Sequence, residues 1–184
     1  MSASAPAVPL FPRVLGPGFA TLPPTVRRLH EAPGAARWQG EVVVERGRHP
    51  LARLFAWVTH LPPAGAGPVV VEIDAAEGRE RWVRRIGGRA MPSRLWAGQG
   101  AMAGLLCERL GAVLFGFAMR VEDDAIVWRV ARVRVLGWLP LPARGFAGVV
   151  ARESERDGRY RFDVRAAMPV AGLLVHYRGW LDVP

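Results

Sequence analysis

The sequence predicts a mainly β protein: a strongly curved antiparallel up-and-down sheet or barrel, lipocalin- or calycin-like, with about nine or ten strands and two short helices. Three observations carry that expectation. From Pro68 onward the chain is a succession of segments in which apolar and polar residues alternate with period two. Short turns rich in Gly and Asp separate these segments, as consecutive hairpins require. No long helical pattern closes the chain, which argues against a helix-grip fold, whose sheet needs such a helix as cover. A twisted sheet of that width closes on itself or splits, so a bent sheet or barrel around a cavity follows.

In chain order, residues 1–10 read as a Ser/Ala/Pro-rich disordered leader without the basic and apolar regions of a secretory signal. Residues 11–184 read as one barrel-like domain, in keeping with a length of 184 residues. Phe11 to Phe19 is apolar but broken by Pro12, Gly16, Pro17 and Gly18, and should lie as an arm across the core. Thr21, Pro23 and Pro24 open a helix carrying Val26, Leu29 and His30 at helical spacing. Arg37 to Arg46 alternates, with Trp38, Gly40, Val42 and Val44 on one face. A second helix, Pro50 to His60, places Leu51, Leu54, Phe55, Val58 and Leu61 in a stripe that should be buried against the sheet.

The strands begin with Val69 to Ala75 and Arg79 to Ile86, joined at Glu77-Gly78. Gly87-Gly88 leads into Arg89 to Ala97, where Met91, Ser93 and Leu95 oppose Pro92, Arg94 and Trp96. Ala103 to Leu110 reads as a strand, with Glu108 sharing a face with Leu106 and Leu110. Ala112 to Val121 places Val113, Phe115, Phe117, Met119 and Val121 on one wholly apolar side. Ala125 to Leu136 runs back, with Val127, Val133 and Val135 opposite to Trp128, Arg132 and Arg134. Prolines at 140 and 142 demand a corner. Val149 to Arg156 and Arg159 to Ala167 form a hairpin about Asp157-Gly158, and Leu173 to Asp182 is the last strand.

Composition narrows the partners. The chain is 51% hydrophobic and 22% charged, and has no apolar run of the roughly 18 residues that a membrane span needs. Its net charge of +9 rests on arginine alone, since lysine and asparagine are both missing from the sequence. That pattern reads first as the codon bias of a GC-rich genome, and second as a basic surface for an anionic partner. Nucleic acid is not expected, because only Trp82 and Trp128 could offer stacking on the basic faces. A single cysteine, Cys107, excludes an intrachain disulfide, fits a reducing compartment, and makes the cytoplasm the expected location.

The succession LGPGFATLPPTVRRLH, RWQGEVVVERG, RWVRRIGG followed by SRL, LLCERLG, and RYRFDV with HYRGWL resembles the domain-of-unknown-function 4166 family from about Val14 to Asp182. One departure is Gly111-Ala112, where the family is associated with Gly-Pro. The resemblance implies no reaction. It does imply an oxidoreductase neighbourhood, since members often form the C-terminal part of proteins whose N-terminal part looks like a short-chain or saccharopine-type NAD(P) oxidoreductase. No strand followed by GxGxxG occurs in these residues, so no dinucleotide or other cofactor is expected.

Catalytic motifs are missing: there is no GxSxG, HExxH, CxxC or P-loop, and no metal-ligand spacing. His30, His49 and His60 read as capping or surface residues, while His176 sits mid-strand beside Tyr177 and Arg178. Arg79, Arg81, Arg84, Arg85 and Arg89 read as solvated strand positions, as do Arg152, Arg156, Arg159, Arg161 and Arg165. The leading expectation is a non-catalytic or weakly catalytic module whose apolar lumen binds a small hydrophobic or amphipathic molecule. Phe115, Phe117, Met119, Trp128 and Tyr177 would form its walls, and Arg94, Glu108, His176 and Arg178 its orienting groups. If Arg94 and Glu108 both face inward they must pair, either as a structural clamp or as the polar end of a ligand pocket. Strand period puts Tyr177 opposite to His176, Arg178 and Trp180, so only one of these sets can face the lumen. The alternatives are an accessory domain docking on an NAD(P)-dependent oxidoreductase through an exposed apolar patch, an isomerase- or cyclase-like enzyme using the same cavity, and a basic surface for an anionic polymer.

Overall fold

A computed structural model describes residues 8–184. The first seven residues of the expected leader lie outside that range, and Leu10, its last residue, is fully buried. Leu10–Leu15 forms helix α1, a 3₁₀ turn spans Gly16–Thr21, and Pro24–Glu31 forms α2. Both helices begin just after a proline, where the missing N–H leaves no bond unmade. The expected arm is therefore a short helix followed by a tight turn.

Strand β1 (Gly34–Arg46) is followed by α3 (Pro50–Val58) and then by β2 (Gly65–Ala76), β3 (Arg79–Ile86), β4 (Arg89–Ala97), β5 (Leu106–Leu110) and β6 (Val113–Glu122). The chain ends with β7 (Ala125–Val135), β8 (Leu139–Leu141), β9 (Val150–Arg156), β10 (Arg159–Met168) and β11 (Gly172–Asp182). All pairings are antiparallel, β1 joins β11, and β6 joins β7, so ten strands close into a barrel. The eleventh, β8, is a three-residue edge against β7. Closure satisfies the backbone groups that an open sheet would leave on its margins.

Inner faces follow the period of two. Val42 and Val44 on β1, Val69, Val71 and Ile73 on β2, and Val113, Phe115 and Phe117 on β6 are all buried. Strand β7 departs from simple alternation. Gly116 pairs with Arg132 but Phe117 pairs with Val130, so Ala131 is an extra residue, a bulge. That bulge resets the phase and brings Trp128 to the inner side with Val133, where uninterrupted alternation sets them on opposite faces. Strands β1 and β11 cross closely at two glycines. A Cβ at Gly40 would meet the Trp180 carbonyl, and one at Gly179 would meet the Glu41 carbonyl and the Phe162 ring.

The two ends are covered differently. At one end α1 and α2 form a plug, with Leu10, Phe11, Val26 and Leu29 fully buried. Arg13 of α1 donates to the Gly78 carbonyl in the β2–β3 turn at 2.6 Å, and Thr25 of α2 donates to Glu155 of β9 through its amide (3.1 Å) and hydroxyl (2.8 Å). At the opposite end lies α3. The sequence places Leu51, Leu54 and Phe55 in one buried stripe, whereas α3 is seated on Ala52 and Ala56, with Phe55 half-buried and Leu51 and Leu54 exposed. The small alanines allow close approach near Gly47, which turns the leucines outward.

Candidate functional site

Inside the barrel is a cavity with about 100 Å³ open to the centres of water-sized molecules. Its walls are largely apolar: Phe115 and Phe117 from β6, Trp128 from β7, Val69 and Val71 from β2, Val175 and Leu181 from β11. Phe55, Thr59 and Leu61, from α3 and the segment after it, close one end. The two phenylalanines stack at 5.6 Å between ring centres, and Phe117 meets Trp128 edge-on at 5.5 Å.

Polar groups enter this apolar space at a few positions. Alternation along β3 turns Glu80, Trp82, Arg84 and Ile86 inward, so Arg84 lies in the lumen and not in solvent. Its guanidinium donates to Ser93 Oγ on β4 (2.9 Å) and to Glu108 Oε1 on β5 (3.3 Å), and it lies 4.7 Å from the centre of the Trp82 ring. Three adjacent strands thus contribute one linked polar row. The partner of Glu108 is Arg84; Arg94, the expected partner, points outward from β4, registered between Arg81 and Arg109. Burial opposes the charge on Arg84, but the carboxylate of Glu108, helped by the two tyrosines and Glu153, outweighs it and leaves the guanidinium pKa raised.

A second polar group sits at the plug. Glu153 on β9 is buried and bonds His30 Nε2 of α2 at 2.6 Å. His30 is itself 3% exposed and stacks on Phe11 at 3.6 Å, so it is a core residue and not the helix-end surface group its position in sequence suggests. Burial, followed by the charge of nearby Glu153, pushes the Tyr160 pKa well above the ordinary value. Tyr177 faces the same lumen, where burial pushes it up to about 12. Glu80 bonds Trp82 Nε1 at 2.7 Å, and burial raises its pKa against the opposing effects of His30 and that bond. Trp128 Nε1 is buried and meets no acceptor among the described residues.

Of the residues singled out in the sequence, Glu108, Phe115, Phe117, Trp128 and Tyr177 therefore line one cavity. Met119 pairs with Trp128 on the inner face but lies beyond the cavity, half-buried. The register of β11 resolves its two faces: Tyr177 points in, and His176, Arg178 and Trp180 lie on the outer side. There His176 bonds Asp163 at 2.9 Å, Arg178 pairs with Glu45 at 3.2 Å, and Arg159 lies 4.1 Å over the Trp180 ring. Cys107 faces away from Glu108 and is buried, with its thiol pKa raised by that burial. Among the described residues no group of His, Cys, Asp and Glu is assembled for a metal ion. Two inward residues, His30 and Arg84, are ones whose place in the sequence suggests the surface, and Glu80, Glu153 and Tyr160 are inward without having been singled out at all. The signal for the first two was parity, since Arg84 shares its face with Trp82 and Ile86, and His30 continues the stripe of Val26 and Leu29.

These features define a closed antiparallel β-barrel, plugged by two helices, with a small lumen crossed by buried polar groups. The chain belongs to the family described as domain of unknown function (DUF4166), whose model matches residues 22–181. Among solved structures, the crystal structure of Rv2717c from M. tuberculosis is similar at 14% identity and a TM-score of 0.39, covering 89% of this chain and 99% of that one. No curated protein matches the chain. No described helix is long and apolar enough to cross a membrane.

Proposed function

We propose that the barrel binds a small amphipathic molecule in its lumen, with an apolar body against Phe115, Phe117 and Val71 and a hydrogen-bond-accepting head toward the inner polar groups. The observation that carries this reading is the cavity itself: an enclosed apolar space with a few convergent polar side chains, the usual make-up of a small-molecule site. The space open to the centres of water-sized molecules, about 100 Å³, is enough for a small organic molecule. The acceptor head is supported by Arg84, which lines the lumen and carries more N–H donors than the two it gives to Ser93 and Glu108.

The test is native mass spectrometry of the protein purified from its own source, followed by titration of the emptied protein with octanoate. A retained small molecule released on unfolding, and saturable octanoate binding that Ala151→Phe abolishes by filling the lumen, are the expected results. An unloaded protein that does not bind octanoate, or that binds it equally well with Ala151→Phe, would overturn the reading.

A further inference from the structure

Apart from Arg53, helix α3 is apolar all round but covered on one side only. Ala52, Phe55 and Ala56 meet the barrel, while Leu51, Leu54 and Trp57 are 48%, 56% and 77% exposed along the other side. So apolar a helix belongs in an apolar environment, and the barrel supplies half of it. Further apolar tips stand at the same end. Up-and-down connectivity sends the β3–β4, β5–β6, β7–β8 and β10–β11 turns there, and contacts tie them to α3 and its flanks. Gly111 abuts the Val58 carbonyl, Pro63 packs on Gly87, and Leu136 N–H donates to the Ala112 carbonyl at 2.8 Å. In these turns Trp138 is 70% exposed and Val170 76%.

Charge is sorted along the same axis. The sequence has no Asp or Glu in residues 46–71, 81–107, 109–121, 125–152 or 164–181, and every turn at the α3 end falls within one of these stretches. Arg48, Arg53, Arg89 and Arg144 are exposed there. The plug-end turns carry the carboxylates instead: Glu77, Asp123, Asp124 and Asp157. Arginines stand at both ends, with Arg13, Arg28 and Arg156 exposed at the plug, but only the plug-end turns carry carboxylates. Glu45 at the α3 end of β1 is paired with Arg178, so the α3-end turns are basic and apolar together.

We propose that the α3 end docks on an anionic phospholipid surface, with the α3 stripe and the Trp57 and Trp138 indoles in the headgroup layer and the surrounding arginines on lipid phosphates. Indoles favour that layer because they join an apolar body to one N–H donor. Helices with an exposed apolar stripe lie in it, and neighbouring basic residues add an attraction that salt weakens. A second copy of the chain is a poor occupant, because two such ends would oppose like charges. A protein partner would need a matched acidic surface for tips that come from several separate turns, whereas a bilayer offers uniform negative charge above an apolar layer. This docking does not depend on what fills the lumen.

The experiment is co-sedimentation of the full chain with phosphatidylcholine vesicles, with and without phosphatidylglycerol. Binding is expected only with phosphatidylglycerol, accompanied by a blue shift of tryptophan fluorescence. Leu54→Ser with Trp57→Ser should lower the vesicle affinity about tenfold or more, and Arg53→Glu should weaken it markedly. These side chains are exposed, so thermal unfolding should be unchanged. Arg156→Glu makes the same change in net charge at the plug end and should leave binding intact. The proposal is overturned by lack of binding to phosphatidylglycerol vesicles, by equal losses from Arg53→Glu and Arg156→Glu, or by no effect of the Leu54/Trp57 pair. Self-association that the same pair abolishes would overturn it in favour of a second copy.

Discussion

Tyr160 and Tyr177 are the only tyrosines in the chain, and both face the lumen, so the phenolate absorbance of this protein reports its interior alone. The perturbation is a rise in pH. An unfolded tyrosine ionises near pH 10, whereas burial holds Tyr177 at about 12 and Tyr160 also well above its ordinary value. Between these limits the folded state holds protons that the unfolded state has released. Stability is therefore intact below about pH 10 and is lost as pH rises through the folded value. For Tyr177 a rise to about 12 corresponds to roughly 3 kcal/mol, a large part of the stability of a single domain. In a pH-jump experiment to about pH 11, the phenolate signal should lag and then appear at the rate at which far-ultraviolet circular dichroism is lost. The same jump on protein unfolded in guanidinium should give the signal at once. Immediate, reversible ionisation of either tyrosine near pH 10 with the fold intact would show a water-filled lumen and refute the argument.

Two substitutions probe the polar groups themselves. Glu153→Gln removes the charge beside Tyr160 and weakens the acceptor for His30, so urea unfolding at neutral pH should show a loss of about 2–3 kcal/mol, while less stability should be lost between neutral pH and about pH 11 than in the unaltered protein; an unchanged pH dependence would mean that the charge does not reach Tyr160. Arg84→Met or Glu108→Leu alone should cost about 3–5 kcal/mol by leaving a buried charge unpaired, while the two together should be close to neutral in urea unfolding and should lose octanoate affinity. A double variant as unstable as either single one would make the pair a structural clamp.

How far the fold can be read from the chain follows from where the physics is local. Alternation in Val113, Phe115 and Phe117, the turn at Asp157-Gly158 with φ of 56° and 70°, and the prolines at 140 and 142 each act over a few residues. They mark strands, hairpins and a corner without knowledge of the rest. What escapes is anything that depends on a phase carried across an irregularity or on which side of an element a partner arrives. Ala131 shows the first case: one bulged residue inverts the face of Trp128 relative to Val133, and although Arg129 and Val130 break the alternation in AIVWRVARVRVL, nothing there says which residue is the extra one. Helix α3 shows the second, since Leu51 and Leu54 are as apolar as any core residue, yet the barrel receives the alanines.

The inner polar groups combine both difficulties. In RERWVRRI the four arginines look alike, and only the parity shared with Trp82 and Ile86 distinguishes Arg84, which then needs a carboxylate two strands away to be tolerable inside. Choosing Arg94 for that role satisfies the chemistry equally well on paper, because it too is a guanidinium near Glu108 in the sheet. The structure separates them by face: Arg94 stands on the convex side between Arg81 and Arg109, where three like charges in a row are tolerable only because water screens them. A site built from side chains on different strands is therefore specified by register, and register is a property of the closed barrel before it is a property of any one segment.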